Sequence, residues 1–381
     1  MSIGTFLFIA LCVSRITFFG SSVCNGQGAE EVDGIKHGYA WQYSQLLDAR
    51  HEQDTTHCYY AYSNTSINGN NTIKHLAQID RCLLSDSSRF AVLGLGLGNE
   101  GIHGAADPQA VYDRWKTNMQ TTIRLAQASG KEVVVTNNYS RGDNTPADYD
   151  YIKRMNLEMH EWDIPTVNLL GAIDNCAGDG RWAEGYQNGD DIYHPNTAGH
   201  TEMMHAWVPS LFDALMAGKA QPVRQKGEGM RLEEGQSIVV TPEDEVHSFT
   251  LAFRVKNSSA MPLELQLREG HAPEMPMLPM DTDWHTIVLT HYYAAGKTYV
   301  YLDGRKQGTT NGKMLLERIT IRGACKVSDL HFWRAGMNAD EIAAWQEGKM
   351  LRSSLEICCP LNNGKTTNTA QSMNEIKIVK R

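Results

Sequence analysis

From residue 16 to residue 170 the chain repeats one rhythm. A short β-branched or aromatic run ends in a turn rich in glycine or asparagine, and a stretch with apolar residues at helical spacing follows. The apolar runs fall at residues 16–19, 59–62, 90–95, 133–136 and 166–170. The helical periods between them are 38–49, carrying Trp41, Leu46 and Leu47, then 72–84 with Ile73, Leu76, Ile79 and Leu83, then 108–130 and 149–162. Strands separated by helices do not close as hairpins, so they predict a parallel sheet covered by helices on both faces. The run at 16–19 is expected as the central strand, and 190–215 as a loop that becomes a final helix.

Past Gly218 the character changes. Gly218-Lys-Ala-Gln-Pro222 reads as a linker, and from about residue 227 short alternating runs take over, at 237–240, 248–255, 263–267, 285–292, 298–302 and 317–321. Asp303-Gly304 between two of them is a hairpin turn. Many short strands at this spacing predict a sandwich or jelly roll. The expected organisation is an α/β domain over 15–218, a linker at 219–226 and an all-β domain over 227–381.

Composition narrows the function. A content of 41% hydrophobic and 21% charged residues is that of a globular protein without disordered bias. The formal charge of −9, with no cluster of Lys and Arg, argues against nucleic acid as a partner. Eight cysteines are scattered without zinc spacing or a compact disulfide framework. A bond between the adjacent Cys358 and Cys359 is disfavoured by geometry. Residues 5–13 form an apolar run of signal-peptide length before the small Ser14, so residues 1–14 are expected to direct export to a secreted or periplasmic location, with the cytoplasm as the alternative. That run is too short to span a bilayer, and no later one reaches the roughly 18 residues required. Oligomeric state is left open.

The chemistry gathers at strand ends. Gly20-Ser21-Ser22, the turn 64–71 and Gly98-Asn99-Glu100 each follow an apolar run. A parallel sheet sets such ends along one edge, where they share a crevice. Either serine is a nucleophile there or a helix cap. Asp191 and His194, three residues apart beside Pro195, have the spacing by which a carboxylate holds one imidazole nitrogen while the other faces outward. His200 and His205 invite a metal reading, but they lie on the succeeding helix and no His-Glu-x-x-His arrangement exists, so no metal and no cofactor are expected. Cys24 reads as packing.

These four turns resemble the conserved blocks of the SGNH (GDSL-type) hydrolases, in the family's order, over roughly the first 215 residues. The resemblance implies a flavodoxin-like three-layer fold. It makes Ser22 the nucleophile, with Asp191 and His194 completing the triad. The oxyanion hole falls to the N–H groups of Ser22 and Gly69 and to the Asn99 side chain. Ser21 replaces the family's usual Asp, Leu97 a usual Gly and Glu100 a usual Asp, and the last two adjoin the oxyanion hole. The Gly-x-Ser-x-Gly elbow of the α/β-hydrolases is absent, since Cys24 takes the place of its last glycine. Segments 284–289, 299–304, 327–333 and 338–342 resemble laminin-G or concanavalin-like jelly rolls. Together these resemblances imply a serine esterase removing O-acyl groups, acetyl above all, from carbohydrate, with an acylated small molecule or polysaccharide as its partner. The alternatives are a lipid or thioester hydrolase of the same family and a catalytically idle carbohydrate-binding protein.

Overall fold

The computed structural model describes residues 12–225, 227–257, 263–268, 281, 283–323 and 325–380. Residues 1–11, and with them most of the expected signal segment, lie outside the described residues.

Five parallel strands form the first sheet: β1 (Val13–Gly20), β2 (Tyr59–Asn64), β3 (Phe90–Gly94), β4 (Glu132–Thr136) and β5 (Thr166–Val167). Their spatial order is β2-β1-β3-β4-β5, so the strand order reverses next to β1. Such a reversal opens a crevice beyond the carboxyl ends of the two strands that flank it. β1 is therefore not central as expected; β3 holds the middle. A strand paired on both sides is buried wherever it sits, and Ile16, Phe18 and Phe19 are at most 2% exposed.

Helices α1 (Tyr39–Gln53), α2 (Thr72–Ile79), α3 (Pro108–Ala128) and α4 (Pro146–Glu161) fill the connections. Each begins where a cap or a proline allows. Asn71 and Asp107 accept N–H groups of α2 and α3, and Thr145 with Asp148 closes a reciprocal box at α4. Two cores result, one on each face of the sheet: Phe18, Tyr43, Trp207 and Phe212 on one side, and Phe19, Leu93, Trp115 and Met155 on the other.

The expected loop at 190 is instead a strand, β7 (Asp191–Pro195), paired antiparallel with β6 (Gln187–Asn188). Two helices follow it rather than one, α5 (Thr197–His205) and α6 (Leu211–Met216). The sequence likewise gave no hint of the disulfide Cys12–Cys58, which fastens the start of β1 to β2. Strand β1 begins at Val13, inside the segment read as a possible signal peptide, and Val13 and Ser14 pair with Tyr59 and Tyr60.

Among the described residues, the second half is a sandwich of two antiparallel sheets, of seven and four strands. Phe249, Leu251, Leu289 and Phe332 from the larger pack on Ile238, Val240, Ile319 and Ile321 from the smaller. Asp303 and Gly304 both take positive φ, 47° and 79°, as the expected two-residue hairpin requires. Residues 219–225 run against this sandwich: Lys219 donates to the carbonyls of Asn368 and Ser372, and Arg224 covers the Trp345 ring.

The two halves are joined by buried polar contacts. Glu341, 1% exposed at the start of helix α7 (Ala339–Gln346), accepts from Asn156, Asn168 and His160 of the first half at 2.7, 2.8 and 3.1 Å. Ser354 donates its N–H to Thr166 O at 3.0 Å and accepts from Asn168 N–H at 2.8 Å, so the sandwich covers the outer edge of β5. Gly171 and Gly336 meet backbone to backbone; a Cβ on Gly171 would stand 2.0 Å from Gly336 O.

Candidate active site at the edge of the parallel sheet

The chain leaving β1 turns at once. Gly20 passes so close to β3 that a Cβ would lie 2.5 Å from Gly94 O, and Ser21 N–H then donates to that same carbonyl at 3.2 Å. Ser22 sits in this turn, 7% exposed. No helix starts there for it to cap, and its hydroxyl points to His194, with Oγ 2.8 Å from Nε2. On the opposite side of the ring, Nδ1 lies 2.6 Å from Asp191 Oδ2. Asp191 Oδ1 also accepts the Tyr193 N–H at 2.9 Å. Partial burial raises the Asp191 carboxyl, but the hydrogen bonds from His194 and Tyr193 outweigh it and hold the group below the usual carboxylate range. Ser22, His194 and Asp191 thus form one hydrogen-bonded row.

Main chain sets that row. Gly28, at φ +93°, presses against β7 so closely that a Cβ would lie 2.2 Å from Pro195 O. Glu30 N–H donates to Thr197 Oγ1 at 2.8 Å. His200 stands behind both loops, accepting Tyr39 N–H at Nδ1 and donating from Nε2 to Gln27 O. Its two nitrogens are spent and burial lowers it to about 4, so it is a neutral core histidine.

The other turns are tied to this one by hydrogen bonds. Thr65 and Ile67 donate their N–H groups to Phe18 O and Gly20 O, and Asn64 Nδ2 donates to Cys24 O. Gly69 adopts φ +71° at the tip, a conformation open to glycine at little cost. Asn99 Nδ2 donates to Asn70 O at 2.8 Å, which binds the third turn to the second and leaves one amide hydrogen free. Neither Ser22 N–H nor Gly69 N–H has an acceptor among the described residues.

Two departures from the family pattern have plain consequences. Leu97 is fully buried in the core beside Trp115, away from the crevice. The longer Glu100 reaches the N-terminus of α2, where it accepts Thr72 N–H, and Arg114 lies 3.6 Å away. It thereby props the segment that presents Gly69.

Arg141 was not singled out from the sequence. It lines a small cavity beside the serine turn with Ser21, Asn99, Asn138 and Tyr139. Asp143 holds two of its nitrogens at 2.9 and 2.7 Å, and the guanidinium lies 5.1 Å over the Tyr193 ring. Its remaining nitrogen packs on Gly98, where a Cβ would come within 2.0 Å. The polar run Asn137-Asn-Tyr-Ser-Arg141 directly after β4 was the available signal, because it too ends a strand of the sheet.

Residues 18–201 match the model of the GDSL-like Lipase/Acylhydrolase family. This part of the chain is a GDSL/SGNH hydrolase domain. The protein is accordingly a carboxylic ester hydrolase, with a β-sandwich half to which that family model does not extend. Among solved structures it is similar to Axe2, an acetylxylan esterase from Geobacillus stearothermophilus, at 15% identity over 51% of this chain and 91% of that one, with a TM-score of 0.38. It is similar to TesA at 20% identity, 51% and 95% coverage and a TM-score of 0.39. LAE5, an alpha/beta hydrolase enzyme from the metagenome of Lake Arreo, Spain, aligns at 15% identity, 51% and 94% coverage and a TM-score of 0.39. No curated protein matches the chain. No helix among the described residues is long and apolar enough to cross a membrane.

Proposed function

We propose that Ser22 is the nucleophile of a serine esterase that removes small O-acyl groups, acetyl above all, from carbohydrate. The observation that carries this reading is the row Ser22–His194–Asp191, with contacts of 2.8 and 2.6 Å. Asp191 fixes the His194 tautomer so that Nε2 takes the Ser22 proton while Oγ attacks the ester carbonyl. The oxyanion that forms is held by the free N–H groups of Ser22 and Gly69 and by the unused amide hydrogen of Asn99. His194 then passes its proton to the leaving alcohol. Water, deprotonated by the same nitrogen, attacks the acyl-enzyme and returns Ser22.

The crevice lining supports a small acyl group. The cavity beside the serine turn, about 20 Å³ in volume, is lined by Ser21, Asn99, Asn138 and Arg141 together with the apolar Val23 and Leu169, and it has no room for a fatty acyl chain. Because Asp143 neutralises Arg141, the lining offers hydrogen bonds without net charge, which suits a neutral ester. Support for carbohydrate comes from a cleft between the two halves lined by Tyr149, Tyr292, Tyr299 and Tyr301 with Asp174 and Asn338. Aromatic faces beside hydrogen-bonding groups suit a sugar ring. The sandwich is read as the laminin-G-like module that the sequence resembles, over about 227–381. Export remains part of the reading, supported by the disulfide Cys12–Cys58, which belongs to an oxidising compartment. Cleavage then falls before Cys12.

The test is hydrolysis of aryl acetate, butyrate and octanoate esters, acyl-thioesters and acetylated xylan by the wild type and Ser22→Ala. Fast acetate hydrolysis that falls away with chain length, release of acetate from xylan, and near-complete loss in Ser22→Ala are expected. An unchanged rate in Ser22→Ala removes the mechanism, and a preference for octanoate or thioester replaces the substrate.

A further inference from the structure

Where α5 meets the sandwich, two histidines and two glutamates from distant parts of the chain come together. His205 closes α5 and Glu202 lies one turn before it. Glu245 and His247 sit in the segment entering strand Phe249–Asn257. The rings of His205 and His247 stack with centroids 3.9 Å apart, and the Tyr293 ring lies 4.0 Å from that of His247. His247 Nδ1 is 2.8 Å from Glu202 Oε2, and its Nε2 is 2.6 Å from Glu245 Oε1. One donor atom each from His205, Glu245 and His247 lies within 4.8 Å of the others. Among the described residues, the buried His205 Nδ1 has no hydrogen-bond partner.

A protonated His247 gripped by two carboxylates accounts for half of this cluster. It leaves His205 Nδ1 buried and unpaired, which is unfavourable. A divalent ion in place of the proton between His247 and Glu245 accounts for all four side chains. Glu202 then accepts the His247 Nδ1–H and aims the Nε2 lone pair at the ion, the carboxylate–histidine support common around metals. Glu245 supplies an oxygen and His205 the idle nitrogen. Glu245 is 53% exposed, so a solvent path to a fourth, water-filled position is open. The exchange leaves two carboxylates facing one dication, with no net charge to bury.

We propose that His205, Glu245 and His247 bind a zinc-type divalent cation that ties α5 to the sandwich, with Glu202 orienting His247. Two imidazoles and one carboxylate suit zinc and its transition-metal neighbours, whereas magnesium and calcium prefer an all-oxygen set. Zinc–ligand bonds of about 2.0–2.1 Å in a tetrahedral site require His247 Nε2 and Glu245 Oε1 to part from 2.6 Å, the His205 nitrogen to approach and the stacked rings to splay. Arg334 holds the Glu245 carbonyl at 3.2 Å, which anchors the backbone while the Glu245 side chain swings. The nine residues of α5 span about 13 Å, so the ion would lie outside the crevice and its role would be to hold the halves together.

The full-length protein, stripped with a chelator and dialysed, is titrated with zinc chloride and, separately, with cobalt chloride. One ion per chain, tetrahedral Co²⁺ absorption bands displaced by zinc, and a higher unfolding temperature with zinc are expected. His205→Ala and Glu245→Gln remove ligands without opening the core and abolish the cobalt bands; Glu202→Gln weakens binding about 10–100-fold. No bound ion, a spectrum of hydrated cobalt only, or wild-type affinity in both ligand variants overturns the proposal.

Discussion

The crevice and the junction between the halves both hold a histidine gripped by carboxylate, yet they use it in opposite ways. His194 has one carboxylate and leaves its second nitrogen to a hydroxyl, so a proton can move. His247 has a carboxylate on each nitrogen, so a proton there is held fast or exchanged for a cation. The crevice is built from turns that leave donors unspent, namely Ser22 N–H, Gly69 N–H and one Asn99 hydrogen. At the junction Glu341 has three partners from the first half. Reactivity follows from donors left unspent in the crevice, and cohesion at Glu341 from donors that all find an acceptor.

The sharpest way to break this contrast is at Asp191. Asp191→Asn keeps the shape but offers His194 the wrong tautomer, and kcat is expected to fall about 10⁴-fold with the unfolding midpoint nearly unchanged. Glu341→Ala should do the reverse. It strands three buried donors, so urea unfolding should report a loss on the order of 3–5 kcal/mol while kcat per folded molecule holds. Asn99→Ala removes one oxyanion donor, and kcat should drop about 10²–10³-fold with KM little moved.

The mildest effect lies at Glu243, also on the junction. Burial and the neighbouring Glu356 push its carboxyl up to about 7 from an ordinary 4.5. A raised carboxyl stabilises the fold fully below its unfolded value, and that contribution is lost as pH rises through about 7. Unfolding measured from pH 5 to pH 8 should therefore show falling stability, by at most about 3 kcal/mol, and Glu243→Gln should flatten the slope. A flat wild-type profile would remove Glu243 as a titrating group.

Sequence reading served the crevice better than the junction for a physical reason. Strands β1, β3 and β4 are buried on both faces and announce themselves as unbroken apolar runs. Asp191 and His194 are three residues apart, so their partnership is visible locally. Strand Arg305–Asn311 was missed because all seven of its residues are exposed and no hydrophobic alternation marks it. Glu202 and His247 are 45 residues apart, and Asn156 and Glu341 are 185 apart; only the folded chain brings such pairs together. Cys12 and Cys58 escaped for the same reason, 46 residues apart with no framework around them.

The cover that Ser354 places over β5 bears on how such a protein can be divided. A parallel sheet that ends in a two-residue strand has bare backbone along its last edge, and bare edges pair with other chains. Cut away from the sandwich, the hydrolase half would expose that edge together with Asn156, His160 and Asn168. It would be inclined to self-associate rather than stand as an independent unit. The second half is in this sense less an accessory than a missing wall of the first.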